Sequence, residues 1–259
     1  MRFKALFSGK PGLDRFLAAV YLLGLTAGAM GILAGGFHLS IQLLLFSIYG
    51  AAAAPFLVDL GGNCKLSTAF AFILASAVYL GPGAAVITAL ATTTSYLGRE
   101  EMLFHKRLFN VSNHLLSGFI AARLFLAAGG SSATITDEVS LRAMLAAICG
   151  FYLVNTGLVG IASALELDRP IVQTWMEKYR WTVASFLAGG TLAVILVLLI
   201  DRIGVFTFFL SLPFCLVLFH CWTLQAGFMR SGRPARGESA PSVSHMSKTF
   251  PAASSRARK

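Results

Sequence analysis

The sequence predicts an all-α integral membrane protein, a polytopic bundle of about eight transmembrane helices. Hydrophobic residues make up 56% of its 259 residues and charged residues only 12%, whereas charged residues approach a quarter of an ordinary soluble domain. The basic residues are also unevenly placed. Of 21 Lys and Arg residues, only Arg123, Arg142 and Arg202 would lie on one side of the bilayer. This asymmetry is typical of membrane proteins, whose cytoplasmic segments are rich in Lys and Arg.

Apolar segments of the required length account for the predicted spans. A helix rises about 1.5 Å per residue, so a hydrocarbon core of about 30 Å needs about 20 residues. The apolar segments cover residues 16–37, 40–58, 66–80, 83–98, 108–128, 141–164, 181–201 and 204–226. The third and fourth are short and share the break Gly81-Pro82-Gly83, where proline removes a donor and glycine permits a sharp turn.

The basic residues favour eight spans over seven. If the two short segments formed a single span, Lys106 and Arg107 would lie on the outer side of the membrane, against the positive-inside bias. We therefore expect a cytoplasmic basic N-terminus over residues 1–15, a transmembrane domain over 16–228 and a disordered basic cytoplasmic tail over 229–259. The short pair is expected to be partly re-entrant and sheltered by its neighbours.

Small residues recur on one face of the first span. They are Gly24, Gly28, Gly31 and Gly35. Such a stripe lets a second helix approach closely. The sequence leaves two arrangements open: packing within the chain, or a homodimer formed through this face.

A short amphipathic connector follows the sixth span. It begins at Asp168-Arg169-Pro170, where proline suits the first position of a helix. Trp175, Tyr179 and Trp181 follow near the cytoplasmic boundary, so we expect all three to act as anchors at the membrane interface. The connector is interpreted as a segment that lies on the membrane surface.

Polar side chains within the apolar segments mark the candidate site, because burying a polar group is costly unless it is paired. Helical spacing puts those of the fifth span on one face, at a depth similar to those of the sixth and eighth. The predicted ligand-binding or polar cluster comprises Asn110, Asn113, His114, Ser117, Asn155, Thr156 and His220. It either binds a small ligand or responds to protonation, or it supplies interhelical hydrogen bonds that only fix the bundle.

The sequence indicates no catalytic residues, metal site or cofactor. The four cysteines form no CxxC pair, and a haem held by His114 and His220 would rest on depth alone. The carboxylates at the span ends, Glu166 among them, are expected to be solvated. Because the basic residues punctuate apolar runs and form no patch, the expected partner is the lipid bilayer and not nucleic acid.

Three stretches of sequence resemble a known bacterial family. They are YLGPGAAV, which contains the Gly-Pro turn, RLFNVSNHLLSGFIAARLF in the fifth span and FYLVNTGLVGIA in the sixth. Together with the aromatic last span, they are similar to the multi-span N-terminal sensory region of HD-GYP and GGDEF cyclic-di-GMP signalling proteins. The resemblance covers about residues 40–228.

The resemblance implies a sensory or regulatory input module in the bacterial inner membrane. The basic residues predict that both termini are cytoplasmic, and none of the family's catalytic motifs is present in the sequence, so we expect a module with no catalytic domain of its own. The resemblance also implies a cytoplasmic cyclic-di-GMP output protein as partner. The chain departs from the family because a basic tail follows the last span, so a stand-alone module and a truncated or frameshifted product are both open. Two further functions stay open: a small-solute transporter or substrate-binding membrane subunit, favoured by the broken short pair, and a structural or vestigial module.

Overall fold

A computed structural model describes residues 7–35, 39–55, 57–61, 64–97, 102–131 and 137–210, together with positions 213, 220 and 224. Three predictions therefore lie wholly or largely outside the described residues. They concern the first part of the basic N-terminus, most of the eighth span after residue 210, and the tail over 229–259.

The described part of the chain is helical except for one short hairpin. Its elements are α1 (Pro11–Gly35), α2 (Ile41–Ala53), β1 (Leu57–Gly61), β2 (Cys64–Ser67), α3 (Phe70–Tyr79), α4 (Pro82–Leu97), α5 (Phe104–Ala127), α6 (Glu138–Leu167), α7 (Ile171–Lys178), a 3₁₀ turn (Arg180–Thr182) and α8 (Val183–Ile203). Three described helices are long and apolar enough to cross a membrane. They are Pro11–Leu33, Glu138–Leu167 and Arg180–Ile203.

The hairpin between α2 and α3 is an element that the sequence analysis missed. β1 and β2 pair antiparallel, with Leu57 opposite Ser67. The sequence between the two strands is Gly-Asn, a dipeptide that favours two-residue hairpin turns. The Ser67 hydroxyl donates to the carbonyl oxygens of Ala53 and Ala54, at 3.3 and 3.4 Å. The second helix consequently ends at residue 53 and the third begins at residue 70, inside the predicted bounds of both spans.

The break between the third and fourth helices lies where the sequence predicts it. α3 ends at Tyr79 and α4 begins at Pro82, with Gly81 between them at a φ of 89°. This left-handed conformation suits glycine, which has no Cβ. The ten residues of α3 rise about 15 Å, half the thickness of a hydrocarbon core. All its residues from Phe70 to Val78 are buried, so α3 is a short helix enclosed by protein.

An aromatic core joins α3 to α6 and α8. The ring of Phe70 lies 4.6 Å from that of Phe186 and 5.9 Å from that of Phe151, measured between centroids. Gly189 faces the Phe70 ring so closely that a Cβ at this position would collide with it. The absence of a side chain at Gly189 is therefore what lets α8 approach α3.

The glycine face of α1 packs within the chain. A Cβ at Gly24 would lie 2.6 Å from the Cβ and 2.7 Å from the Cα of Ser112 in α5. A Cβ at Gly31 would lie 2.7 Å from Val86 in α4, whereas Gly28 has only Leu115 nearby, at 3.8 Å. Gly24, Gly28 and Gly31 are buried, and the side-chain position of Gly35 is not described. The intramolecular arrangement accounts for these contacts, and a dimer through this face would have to open them.

Replacing Gly24 with alanine should destabilise the bundle by about 1–3 kcal/mol, since the added methyl group overpacks the contact with the α5 backbone. Gly28→Ala is the matched control on the same helix face. It should be neutral or stabilising by up to about 1 kcal/mol, because alanine restricts the unfolded chain and meets no neighbour closely. Thermal unfolding of the purified full chain in nanodiscs measures both changes, and equal stability of the two variants would contradict the close α1–α5 contact.

Candidate functional site

Charged residues gather at one end of the bundle, where α1 and α5 begin and α6 ends. We call this region the charged end. Lys106 Nζ lies 2.8 Å from Glu166 Oε1, and Lys10 Nζ lies 2.7 Å from Asp168 Oδ2. Lys10 Nζ also donates to the Glu166 carbonyl oxygen at 2.7 Å. A cation at this position satisfies a free carbonyl group and complements the negative end of the α6 dipole.

The end of α6 is fixed by its own backbone as well as by these ion pairs. Asp168 takes a left-handed conformation with φ 53°, and its amide and that of Arg169 both donate to the Ala164 carbonyl oxygen. Pro170 follows and cannot continue the helix. The ion pairs are half-exposed or more, and exposed pairs of this kind contribute about 0–1 kcal/mol each. These ion pairs therefore position the starts of α1 and α5 beside the end of α6, but they add little to the stability of the fold.

A cavity of about 420 Å³ opens at the charged end between α1, α5, α6 and α7. It was not predicted from the sequence. Its apolar lining includes Leu13, Leu17, Phe109 and Val159. The residues with polar side chains that line it are His105, Lys106, Asn110, Ser163, Glu166, Lys178 and Tyr179. A concave space with apolar walls and a few polar groups is typical of a small-molecule site.

The polar groups of the cavity carry a net positive charge. Lys106 is paired with Glu166, but no ion pair is formed by Lys178 with any described residue. The hydroxyl oxygens of Ser163 and Tyr179 are hydrogen-bonded at 3.2 Å, and Tyr179 is almost fully buried. Within the part of the chain that the structure describes, one ammonium group at the cavity is therefore left without a carboxylate.

His105 lies at the start of α5 beside this cavity, outside the predicted span. Its backbone carbonyl oxygen accepts a hydrogen bond from Tyr21 Oη at 3.0 Å. Burial lowers the pKa of the His105 imidazole below its usual value, and the neighbouring Lys106 ammonium lowers it further, whereas the carboxylates of Glu166 and Asp14 oppose the shift. The folded protein therefore favours the neutral imidazole.

The predicted polar cluster is only partly assembled. Asn113 in α5 is buried, and its side-chain amide donates to the backbone carbonyl oxygen of Asn155 in α6 at 3.3 Å. The Ser117 hydroxyl donates to the Asn113 side-chain oxygen, also at 3.3 Å. The hydrogen bond between α5 and α6 thus joins the side chain of Asn113 to the backbone of the facing helix.

The remaining predicted members contact different partners. His114 Nδ1 donates to the Asn110 carbonyl oxygen at 2.8 Å, within one turn of α5, and the Asn110 side chain reaches Met102 Sδ at 3.7 Å. The Thr156 hydroxyl donates to the Tyr152 carbonyl oxygen at 2.7 Å. His220 lies at an exposed helical position in a part of the chain where few residues are described. Of the predicted set, Asn113, Ser117 and Asn155 are joined by the hydrogen bonds above, and Asn110 lines the cavity.

Two of the three expected interface anchors face the bundle, and this prediction is corrected. Trp175 Nε1 donates to the Thr156 hydroxyl at 3.1 Å, and the Trp175 ring occupies space beside α6 that a Cβ at Gly160 would fill. Tyr179 is buried. Only Trp181 is exposed, and the Arg180 guanidinium carbon lies 4.6 Å from the centre of its ring. Because Gly160 has no side chain, the Trp175 ring can pack inward against α6.

The match to a family of known proteins covers the polar cluster and every lining residue of the cavity except Leu13 and Leu17 of α1. The MASE9 family profile matches residues 30–225. The chain belongs to the MASE9 family. MASE-type domains are membrane-associated sensory domains of cyclic-di-GMP signalling proteins. No curated protein and no solved structure matches the chain. Among the described residues of this MASE9 chain, no group of three or more His, Cys, Asp or Glu side chains is arranged to hold a metal ion.

Replacing Asn113 with leucine should destabilise the bundle by about 0.6–1.7 kcal/mol, from the average to the maximum measured for interhelical hydrogen bonds in a membrane protein. Asn155→Leu is the control, because it keeps the carbonyl oxygen that accepts the bond. Unfolding of each variant in nanodiscs should show the larger loss for Asn113→Leu. A larger loss for Asn155→Leu would mean that the Asn155 side chain, and not its backbone, carries the contact.

Lowering the pH should destabilise the folded chain through His105. A histidine with a depressed folded-state pKa binds its proton first in the unfolded state, so stability is lost as the pH falls below the ordinary value of 6.5. His105→Gln should reduce the loss of melting temperature between about pH 7.5 and about pH 5.5. The remaining histidines contribute equally to both proteins, so an identical pH dependence would contradict this assignment.

Proposed function

We propose that this MASE9 chain is a sensory or regulatory input module of a cyclic-di-GMP signalling system in the bacterial inner membrane. The single observation that carries the proposal is the family match, which spans residues 30–225 and so includes most of the described helices. A buried polar cluster within the matched residues, and a cavity formed largely by them, supply the kind of site that a sensory domain needs.

We also propose that the chain crosses the membrane eight times, with both termini in the cytoplasm. Support comes from the charged end, where Lys10, Lys106 and Lys178 lie together although they are far apart in sequence. Arg142 pairs with Glu138 in the first turn of α6. Since Glu138 and Arg142 precede Glu166 by 28 and 24 residues, this pair lies about 40 Å from the charged end along the helix. The positive-inside bias then assigns the charged end to the cytoplasm.

The route by which a stimulus would reach the last helices runs through α7. Trp175 in α7 bonds to Thr156 in α6, and the Tyr152 hydroxyl donates to the Tyr179 carbonyl oxygen at 3.1 Å, just before α8 begins. A ligand or proton that shifts the end of α6 would therefore move the start of α8. Such a shift transmits a signal only if it favours one of two arrangements of the bundle.

Deleting the gene that encodes the chain in its host should change the cellular level of cyclic-di-GMP, and expression of the intact chain should restore it. Mass spectrometry of nucleotide extracts measures the effect. The matched variants are Trp175→Phe, which loses the bond to Thr156, and Trp181→Phe, which alters an exposed ring. Only the first should fail to restore the level fully. An unchanged nucleotide level, or solute flux through vesicles that contain the purified chain alone, would contradict the sensory proposal.

A further inference from the structure

We propose that the cavity at the charged end binds a small amphiphile with one carboxylate group and a short aliphatic body. This inference deepens the proposed function, on which it rests for its biological meaning, because such a molecule would be the stimulus of the sensory module. Binding itself is measurable without any signalling readout.

The size of the cavity limits the class of ligand. Small-molecule sites enclose about 300–1,000 Å³, and this cavity of about 420 Å³ is near the lower end. A short-chain amphiphile fits such a volume, whereas the two acyl chains of a whole phospholipid do not. The occupant is therefore a free small molecule and not a membrane lipid.

The charges select the head group. Two lysines and one glutamate line the cavity, and Lys106 and Glu166 neutralise each other at 2.8 Å. The ammonium group of Lys178 makes no ion pair with the described residues. A single unpaired ammonium matches a singly charged anion. The described lining contains no arginine, the residue whose planar fork holds phosphate by two parallel bonds, so a carboxylate is favoured over a phosphate.

The walls select the body of the ligand. Leu13 and Leu17 come from α1, Phe109 from α5 and Val159 and Ala162 from α6. An aliphatic chain laid against these groups buries apolar surface at about 25 cal/mol per Å². A purely polar anion would leave the same surface in contact with water. The combination of an apolar wall and one cation without an ion pair among the described residues is what specifies an amphiphile.

The position of the cavity means that a bound ligand would link several helices. Apart from Met102 and Tyr179, its lining residues belong to four separate helices, α1, α5, α6 and α7. A bound molecule therefore contacts the ends of all four at once. It also lies beside Tyr179, whose backbone carbonyl oxygen accepts the hydrogen bonds of Tyr152 and Thr182 at the start of α8.

The test uses octanoate and octan-1-ol as probes, with the purified full chain in zwitterionic nanodiscs and empty nanodiscs as the background. Octanoate should bind saturably and more tightly than octanol. Lys178→Gln should weaken octanoate binding about tenfold, the loss expected for one charge-assisted hydrogen bond, and leave octanol binding unchanged. Arg169→Gln is the matched control, because Arg169 is an exposed neighbour outside the cavity lining, and it should bind octanoate as the natural chain does.

Ala162→Phe, which fills the cavity, should abolish binding of both probes. Its thermal unfolding curve, and the separate Lys178 variant, keep the test valid if this variant folds poorly. Equal binding of octanoate and octanol, or no effect of Lys178→Gln, would overturn the carboxylate assignment. Loss of octanoate binding in nanodiscs that contain anionic lipid would show that a lipid head group takes the site and would overturn the free-ligand proposal.

The binding test and the signalling test can fail separately. Saturable octanoate binding with an unchanged cyclic-di-GMP level would support the site and contradict the sensory role. Absence of saturable binding, together with a cyclic-di-GMP level that depends on the chain, would overturn this ligand class and leave the sensory role supported.

Discussion

A polar helix inside an apolar bundle must be covered by its neighbours, and α5 imposes this constraint on the whole chain. One face of α5 carries asparagine, histidine and serine side chains. Although α5 has 24 residues, it is not among the three described helices that are both long and apolar enough to cross a membrane. Polar groups in hydrocarbon are tolerated where protein surrounds them. α1, α4 and α6 all pack against α5, and the missing side chain at Gly24 lets α1 approach to contact distance.

The same enclosure explains why two sites of different character share α5. Deep in the helix, the Asn113 side-chain amide donates a hydrogen bond to a carbonyl group of α6, and this bond holds the two helices together. About one turn nearer the charged end, Phe109 and Asn110 face a space that the neighbouring helices leave open. The first site satisfies its polar groups within the chain. The second leaves the Lys178 ammonium group without an ion pair among the described residues, which is why the cavity and not the cluster is suited to a ligand.

Local sequence signals predicted the helical class and the turn between α3 and α4, but the β1–β2 hairpin and the long-range contacts were missed. Gly81 and Pro82 marked the break between α3 and α4 because their backbone preferences act within a few residues. Glu166 is exposed, as expected, but it also pairs with a lysine 60 positions away, and no periodicity encodes such a partner. Trp175 was expected at the interface, but the space beside Gly160 accommodates its ring. The cavity was missed for the same reason, since its lining comes from four helices.

The short, fully enclosed α3 bears on how the protein is made. Half a bilayer long, it cannot be held in lipid as an independent span, and its ring partners Phe151 and Phe186 emerge from the ribosome much later. Gly189 follows Tyr79 by roughly 110 residues, which at about 5–20 residues per second takes several seconds or longer. During that interval α3 can pack against α2, α4 and α5 but lacks its ring partners on α6 and α8, so the aromatic core is closed only when α8 arrives.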